Sequence, residues 1–496
     1  MEGVQYFFIC CLLLFSESFA DDELNTRRFP ENFKFGVATA SYQVEGGWNA
    51  SDKSPNIWDY ALHKNPDLVV NRDNGDVACD SYHKYKEDVA LLKDLGVDFY
   101  RFSLSWSRIL PNGIDDKISV DGVNYYKNLI AELRNNNIEP LITIYHWDLP
   151  QILQDAGGWT NDNIVDWFVA YANVCFKEFG NDNKNWLVFN EPKQTCQMGY
   201  GTAEHAPFIN SSGVGEYICA HNLLKAYAKT WHLYNAVYRN VQGGRVGITI
   251  DSSWFEPATE SREDIEAAER GLHFTFGLYA NPILNRDYPA VMKSLIAKRS
   301  SEEGLEKSRL PAFTEEEIEY ISGSYDFLGV NTYTSNMAKA ENNPDPSPGS
   351  HQDAEIATWQ PDEWERTNSS WLKVTPWGAR KLLNWIKNTY GNPEIIITEN
   401  GLSDDDSTLE DDNRIRFYQS YLSNIHDAME LDGVNVTGYT AWSFMDNFEW
   451  TKGYSERFGI YHVDFSSPNR TRTKKKSATW YQNLIKTKCI VDECIH

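Results

Sequence analysis

Two glutamates stand where carboxylates are expensive. Glu191 closes the apolar run 184–192 and Glu399 closes the run 394–400. A carboxyl ending an otherwise apolar strand needs either a partner or a task. A facing pair of carboxyls has a task in cleaving a glycosidic bond. One, protonated, donates to the leaving oxygen, while the other, ionised, attacks the anomeric carbon. Burial and mutual repulsion drive their proton affinities apart and so divide these roles. Taken singly, each glutamate is read equally well as a strand-end residue salt-bridged to a neighbour such as Arg101.

Other strand-like runs end in residues suited to holding a polyol. They supply Gln43 with Glu45, Arg101, His146-Trp147, Asn190, Asn331 with Tyr333, Asn400, Trp442 and Glu449-Trp450. His146 alone reads as a core histidine, and Trp106, Trp147 and Trp377 read as packing residues. Among 11 His and 8 Cys there is no H-E-x-x-H or paired-cysteine motif, so no metal is expected. Nor is there a P-loop, a dinucleotide fingerprint or a G-x-S-x-G elbow, so no cofactor is expected either.

The elements that must position these residues alternate along the chain. Apolar, β-branched and aromatic runs lie at 33–44, 97–106, 139–147, 184–192, 245–254, 325–334, 394–400 and 436–447. Their nearly continuous apolar character suits strands buried on both faces. Amphipathic helical stretches lie at 82–95, 121–136, 161–179, 216–240, 263–280, 376–389, 413–431 and 475–487. Strand and helix in regular alternation predict an α/β fold, a (β/α)8 TIM barrel with long βα loops, as a single domain over 21–496. The alternative doubly wound sheet lacks its glycine-rich loop after the first strand. In a barrel, residues at the C-terminal strand ends share one mouth. The stretch 335–370 has no periodic pattern and reads as a long loop over that mouth, and the runs 404–406 (Asp) and 474–476 (Lys) read as solvated surface.

The resemblance carried by these motifs is extensive. F-N-E-P (189–192) and I-T-E-N-G (397–401) resemble the two signature segments of the family 1 β-glycosidases. The likeness runs over roughly 29–487 and takes in F-x-F-G-x-A-T-A-S-Y-Q-x-E-G (33–46), Y-R-F-S-x-S-W-S-R (100–108), Y-H-W-D-L-P (145–150), A-W-S-F-M-D-N-F-E-W (441–450) and R-F-G-I-Y-H-V-D (457–464). In flavour it is similar to exported insect β-glucosidases and insect thioglucosidases. The resemblance implies Glu191 as general acid/base and Glu399 as nucleophile of a retaining mechanism, with Arg101 and Tyr333 orienting Glu399. It implies Asn190 and Asn331 around the sugar 2-OH, and Gln43, His146, Glu449 and Trp450 gripping the sugar, with Trp442 under its ring and Trp371 walling the aglycone. At Glu449 it also implies rejection of a 6-phosphate.

The N-terminus predicts export. Residues 6–15 are an apolar run followed by Ser18-Phe19-Ala20, a signal peptide over 1–20 that is too short for a membrane span. Five sequons, at Asn49, Asn210, Asn368, Asn435 and Asn469, suit a secreted glycoprotein. Beyond residue 20, six cysteines allow bridges Cys196–Cys219 and Cys489–Cys494 without specifying them. A net charge of −25 disfavours nucleic acid and anionic membranes as partners. The expected partner is a small β-glucoside or thioglucoside, bound by a monomer or homodimer. The leading reading is thus a secreted retaining exo-β-glucosidase. A β-thioglucosidase acting on glucosinolates stays open: the resemblance implies that plant-type thioglucosidases carry Gln where this chain has Glu191, but insect ones keep the Glu, and Lys193, Arg366 or Lys373 could meet a sulfate. A non-catalytic sugar-binding or co-receptor protein on the same barrel is the alternative of another class.

Overall fold

The computed structural model describes residues 28–341, 345–405, 408–491 and 494; the expected signal peptide lies outside them. Eight parallel strands close a barrel in chain order: β1 (Lys34–Ala38), β2 (Phe99–Ser103), β3 (Glu139–Tyr145), β4 (Asn185–Asn190), β5 (Arg245–Asp251), β6 (Leu328–Asn331), β7 (Ile395–Asn400) and β8 (Val436–Ala441). Each strand pairs with the next, and β1 closes on β8 through Lys34↔Gly438 and Val37↔Ala441. The strands are apolar on both faces because one face meets the barrel interior and the other an outer helix. Phe99, Leu141, Leu187, Phe327 and Ile396 form a separate buried cluster at the N-terminal strand ends. That plug separates the N-terminal end from the opposite mouth, where the candidate residues gather.

The outer helices are α1 (Ser81–Leu95), α2 (Val120–Asn135), α3 (Ile164–Phe179), α4 (Gly215–Leu233), α5 (Arg262–Leu272), α6 (Pro376–Tyr390), α7 (Asp412–Glu430) and α8 (Lys476–Thr487). Their apolar stripes face the strands; α2, for instance, buries Val123, Tyr126, Leu129, Ile130 and Leu133 at helical spacing. Ser119 caps α2 by accepting from the Gly122 amide at 3.0 Å, and Gly96 ends α1 in the left-handed region at φ 78°. Between β5 and β6 the chain adds helices at Ala290–Glu302 and Glu315–Ile321, beyond the single helix expected there. No helix among the described residues is long and apolar enough to cross a membrane.

Two readings of the sequence need correction. The stretch 335–370 is not featureless: Ser335–Ala340 and Ile356–Trp359 join Trp254–Pro257 in a three-stranded sheet. Its pairing partner comes from far along the chain, which local periodicity cannot report. The charge runs are likewise not simply solvated. Lys475 is buried and pairs with Asp446 at 3.0 Å and Asp404 at 3.4 Å, and Asp404 also meets the buried Arg414. Both allowed disulfides are formed, Cys196–Cys219 tying the loop after β4 to α4, and Cys489–Cys494 near the C-terminus. Cys79 and Cys175 are buried and free.

Candidate active site

The strand ends are built to turn side chains into the mouth. Ladder register shifts between Leu187 and Asn190 on the β4–β5 pair and between Ile397 and Glu399 on the β7–β6 pair. Such irregularities re-aim residues at barrel rims. Asn331 ends β6 in register with both Asp251, the last residue of β5, and Glu399, the last but one of β7, so three strand ends stand side by side. Glu191 follows β4 at φ 45°, a left-handed conformation that is strained for a side-chain-bearing residue, and its amide still donates to Thr249 O at 3.0 Å.

The two glutamates meet different partners. Glu399 accepts from Arg101 Nη1 on one oxygen at 2.7 Å and from the Tyr333 hydroxyl on the other at 2.8 Å. Glu191 accepts from Asn331 Nδ2 at 2.6 Å and meets no cation as close. Burial, then the negative charges of Asp251 and Glu399, push the Glu191 carboxyl well above the usual carboxylate range. Burial raises Glu399 too, but the Arg101 charge and hydrogen bonds from Arg101, Tyr333 and Asn331 pull it back. The pair's proton therefore resides on Glu191 and leaves Glu399 ionised.

A second tier of bonds holds these partners. Arg101 Nη2 donates to Asn190 Oδ1 at 2.6 Å and its Nη1 to Thr398 O at 2.9 Å. Thr398 Oγ1 donates to Asn331 Oδ1 at 2.7 Å, which aims the Asn331 amide at Glu191. Asn190 Oδ1 is an acceptor, so its Nδ2 donates to His146 Nε2 at 2.9 Å. His146 must then carry its proton on Nδ1; burial and the Arg101 charge push it well below the ordinary imidazole value, so the ring is neutral.

Beside this network lies a cavity of about 420 Å³, lined among others by His146, Glu191, Tyr333, Glu399, Trp442, Glu449 and Trp450. His146 Nδ1, Gln43 Oε1 and Glu449 Oε1 are buried there or just behind the wall with no partner. Orphaned buried polar atoms need an explanation, and ligand hydroxyls supply one. Gln43, Arg101 and Asn190 support the wall from behind. Trp442 and Trp450 each lie 6.0 Å from the His146 ring at shallow angles, making an aromatic floor. Trp371, 47% exposed, stands edge-on to Tyr333 at 5.6 Å and walls the entrance. The structure thus gathers the expected residues at one mouth, with His146, Glu191, Asn331, Tyr333, Trp371, Glu399, Trp442, Glu449 and Trp450 lining the cavity and Gln43, Arg101 and Asn190 behind its wall.

Several lining residues were not expected. Trp147, read as packing, lines the cavity with its indole N–H on Asn190 O at 3.0 Å. His205, on the loop after β4, sits against Trp147 at 5.4 Å, and burial pushes it down to about 4. Asp251 ends β5 and pairs with Lys193 at 2.9 Å, so the cation considered for a sulfate is already held. Glu456 accepts from Ser369 Oγ at 2.5 Å, and its charge helps keep the buried Glu449 carboxyl well above its usual range, after burial itself. Asp251 carried a readable signal, an apolar strand ending in an acid; His205 and Glu456 carried none. Among the described residues no cluster of three or more metal-ligating side chains occurs.

All five sequon asparagines are exposed. Asn368 differs in that its Nδ2, the atom that carries a glycan, donates to Asp404 O at 3.2 Å and Ser455 O at 3.1 Å.

The profile of glycosyl hydrolase family 1 matches residues 25–490. Myrosinase 1 of Brevicoryne brassicae is 46% identical over 462 residues, 93% of this chain and 99% of that protein. The human cytosolic beta-glucosidase is 44% identical over 461 residues, 92% of this chain and 98% of that one. A rice beta-glucosidase mutant, solved in a covalent complex with Glc, superposes with a TM-score of 0.88 at 38% identity, over 93% of this chain and 99% of its own.

Proposed function

Since the chain belongs to glycosyl hydrolase family 1, we propose that it is a retaining exo-β-glucosidase with Glu399 as nucleophile and Glu191 as acid/base. The observation that carries this reading is the unequal treatment of two buried carboxyls: a cation and a phenol grip Glu399, and an amide alone meets Glu191.

In the first half-reaction Glu399 attacks the anomeric carbon while Glu191 gives its proton to the aglycone oxygen. The bond from that carbon to the aglycone breaks, and a glucosyl ester forms on Glu399. In the second, Glu191, now ionised, takes a proton from water, whose oxygen displaces Glu399 and restores both groups. Arg101 and Tyr333 stabilise Glu399 whenever it is a carboxylate, and Asn331 is assigned to the sugar 2-OH, a bond that strengthens as charge develops. The orphaned atoms of His146 and Glu449 take sugar hydroxyls, and Trp442 and Trp450 cover the ring's C–H face.

The thioglucosidase reading is supported by the Brevicoryne brassicae relative and opposed by the charges around the cavity. Glu204, Asp251 and Glu456 line it, Lys193 is held by Asp251, and Lys452 lies 4.0 Å from Glu456. A glucosinolate sulfate close to the scissile atom meets mostly carboxylates there. Glu191 also keeps the proton donor that an oxygen aglycone needs.

Export as a glycoprotein completes the proposal, supported by the apolar run at 6–15, exposed sequons and two disulfides. The test incubates the secreted protein with a chromogenic β-glucoside, a glucosinolate and a 2-fluoro-glucosyl inactivator. Rapid release from the O-glucoside, and inactivator mass on the Glu399 peptide, are expected. Absence of turnover and of label would overturn the assignment; faster glucosinolate cleavage would replace it with the thioglucosidase.

A further inference from the structure

We propose that a second cavity, beyond Trp371, binds an anionic group at the far end of the aglycone, with Lys373 as its cation. The inference rests on the glucosidase reading and narrows its substrate class. This cavity, about 520 Å³, is lined by Asn336, Gln360, Arg366, Trp371 and Lys373 among others, and it shares Asn336 and Trp371 with the catalytic cavity. An aglycone leaving the sugar along the Trp371 wall enters it directly.

Lys373 is 8% exposed, yet among the described residues its ammonium has neither a hydrogen bond nor an ion pair. Its stem is covered while the ammonium reaches the cavity, so the charge is held at the cavity wall with no partner among the described residues. The neighbouring cations are already matched: Arg366 with Asp362 at 2.7 Å and Lys193 with Asp251 at 2.9 Å. Lys373 is also held in place. Its amide donates to Thr334 Oγ1 at 3.1 Å, that hydroxyl donates back to Lys373 O at 2.8 Å, and an antiparallel bridge links its backbone to Arg366. Thr334 follows Tyr333, the residue that donates to the nucleophile. Gln360 Nε2 pins the Trp371 carbonyl at 2.9 Å, so wall and cation are parts of one braced loop.

Asp362 also lines this cavity but is matched by Arg366, so the unmatched charge is acidic beside the scissile bond and, at Lys373, cationic beyond Trp371. The substrate class that fits is a β-glucoside whose aglycone is neutral next to the sugar, extended enough to pass Trp371, and terminated by a carboxylate or sulfate.

The test compares two-ring aryl β-glucosides that differ only in a terminal carboxylate, sulfate ester or carboxamide. The purified wild type should favour the anionic members over the amide by about tenfold in kcat/KM, the value of one charge-assisted hydrogen bond. Lys373→Met should bring that ratio close to one, and Lys373→Arg should restore most of it. Inorganic sulfate should raise KM for the anionic substrates in the wild type, a measurement that stands even if Lys373→Met fails to fold. A ratio near one in the wild type, or one unchanged in Lys373→Met, overturns the proposal. Acceleration of the amide substrate by sulfate also overturns it, by making the site one for a free anion. Failure of the wild type to cleave even 4-nitrophenyl β-glucoside would instead sink the glucosidase reading.

Discussion

Arg101 holds Glu399 with one guanidinium nitrogen and Asn190, the residue before Glu191, with the other, at 2.7 and 2.6 Å. One cation, 1% exposed, thereby fixes the nucleophile and the strand end that carries the acid/base. The guanidinium suits this task because it is planar and presents several donors in fixed directions, which a lysine cannot reproduce.

Replacing it should show both effects. In Arg101→Met the Glu399 carboxyl loses the charge that pulls its proton affinity down. Its ionisation moves to higher pH, so the acid limb of the kcat/KM profile should shift upward in pH. Activity at the optimum should fall about 10²- to 10³-fold, as when a preorganised charge is removed from an active site. A lowered rate with an unmoved acid limb would mean that Arg101 is only structural.

Asp251 supplies the opposite test. Its negative charge helps hold Glu191 protonated, and the Lys193 it pairs with acts the other way. Asp251→Asn removes the first influence and frees the second, so Glu191 should lose its proton at lower pH. The alkaline limb of the profile should move to lower pH, with kcat near pH 7 falling roughly three- to tenfold. An alkaline limb that stayed in place would remove Asp251 from the site's electrostatics.

The part of this site legible in the sequence is the part written on strand ends. Glu191, Glu399, Arg101 and Asn331 each close or occupy an apolar run, and the alternation of runs gives the barrel that gathers them at one mouth. Trp147 packs in the core, as its sequence suggests, and one side of it also lines the cavity, which its position beside a strand end does not by itself announce. His205, Glu456 and Lys373 sit on loops, where position depends on contacts with distant segments such as Ser369 on Glu456 and Thr334 on Lys373. No local pattern encodes those contacts. The burial of Lys475 was hidden for the same reason, since its partners Asp446 and Asp404 lie far back in the chain.

Lys475 accordingly predicts a stability effect that a solvated lysine would not have. Both its side chain and that of Asp446 are fully buried. Lys475→Met leaves Asp446 without its nearest cation and should destabilise by about 3–5 kcal/mol, because a buried charge loses its compensation. Denaturant unfolding monitored by tryptophan fluorescence would register this as a lower midpoint. A change within about 0.5 kcal/mol, as for an ordinary surface site, would contradict the buried network.

The sequons should not be used equally. Asn49, Asn210, Asn435 and Asn469 are exposed, whereas Asn368 spends its Nδ2 on two carbonyls from separate loops. A glycan there removes one of those N–H groups and must fit between the loops. In protein secreted from a eukaryotic host, peptide mapping after enzymatic deglycosylation should find Asn368 unmodified and at least some of the others occupied. Full occupancy at Asn368 would show that this clamp does not form before glycosylation.

The proton on Glu191 links catalysis to stability. A carboxyl whose folded-state proton affinity is raised binds its proton more tightly in the native than in the unfolded chain. Between the ordinary carboxylate value, about 4.3, and the higher folded value, folding takes up a proton, so stability is lost as pH rises through that window. Glu191→Gln cannot titrate, and its side-chain oxygen still accepts from Asn331, which is 2.6 Å away in the wild type. The variant should therefore match the wild type in melting temperature near pH 4 and exceed it progressively toward pH 7 and above, by about 1 kcal/mol or more. Hydrolysis of aglycones that need protonation should fall by orders of magnitude over the same range. A melting-temperature difference independent of pH would mean that Glu191 is not the group carrying the raised proton affinity, and the division of roles between the two glutamates would have to be reversed or abandoned.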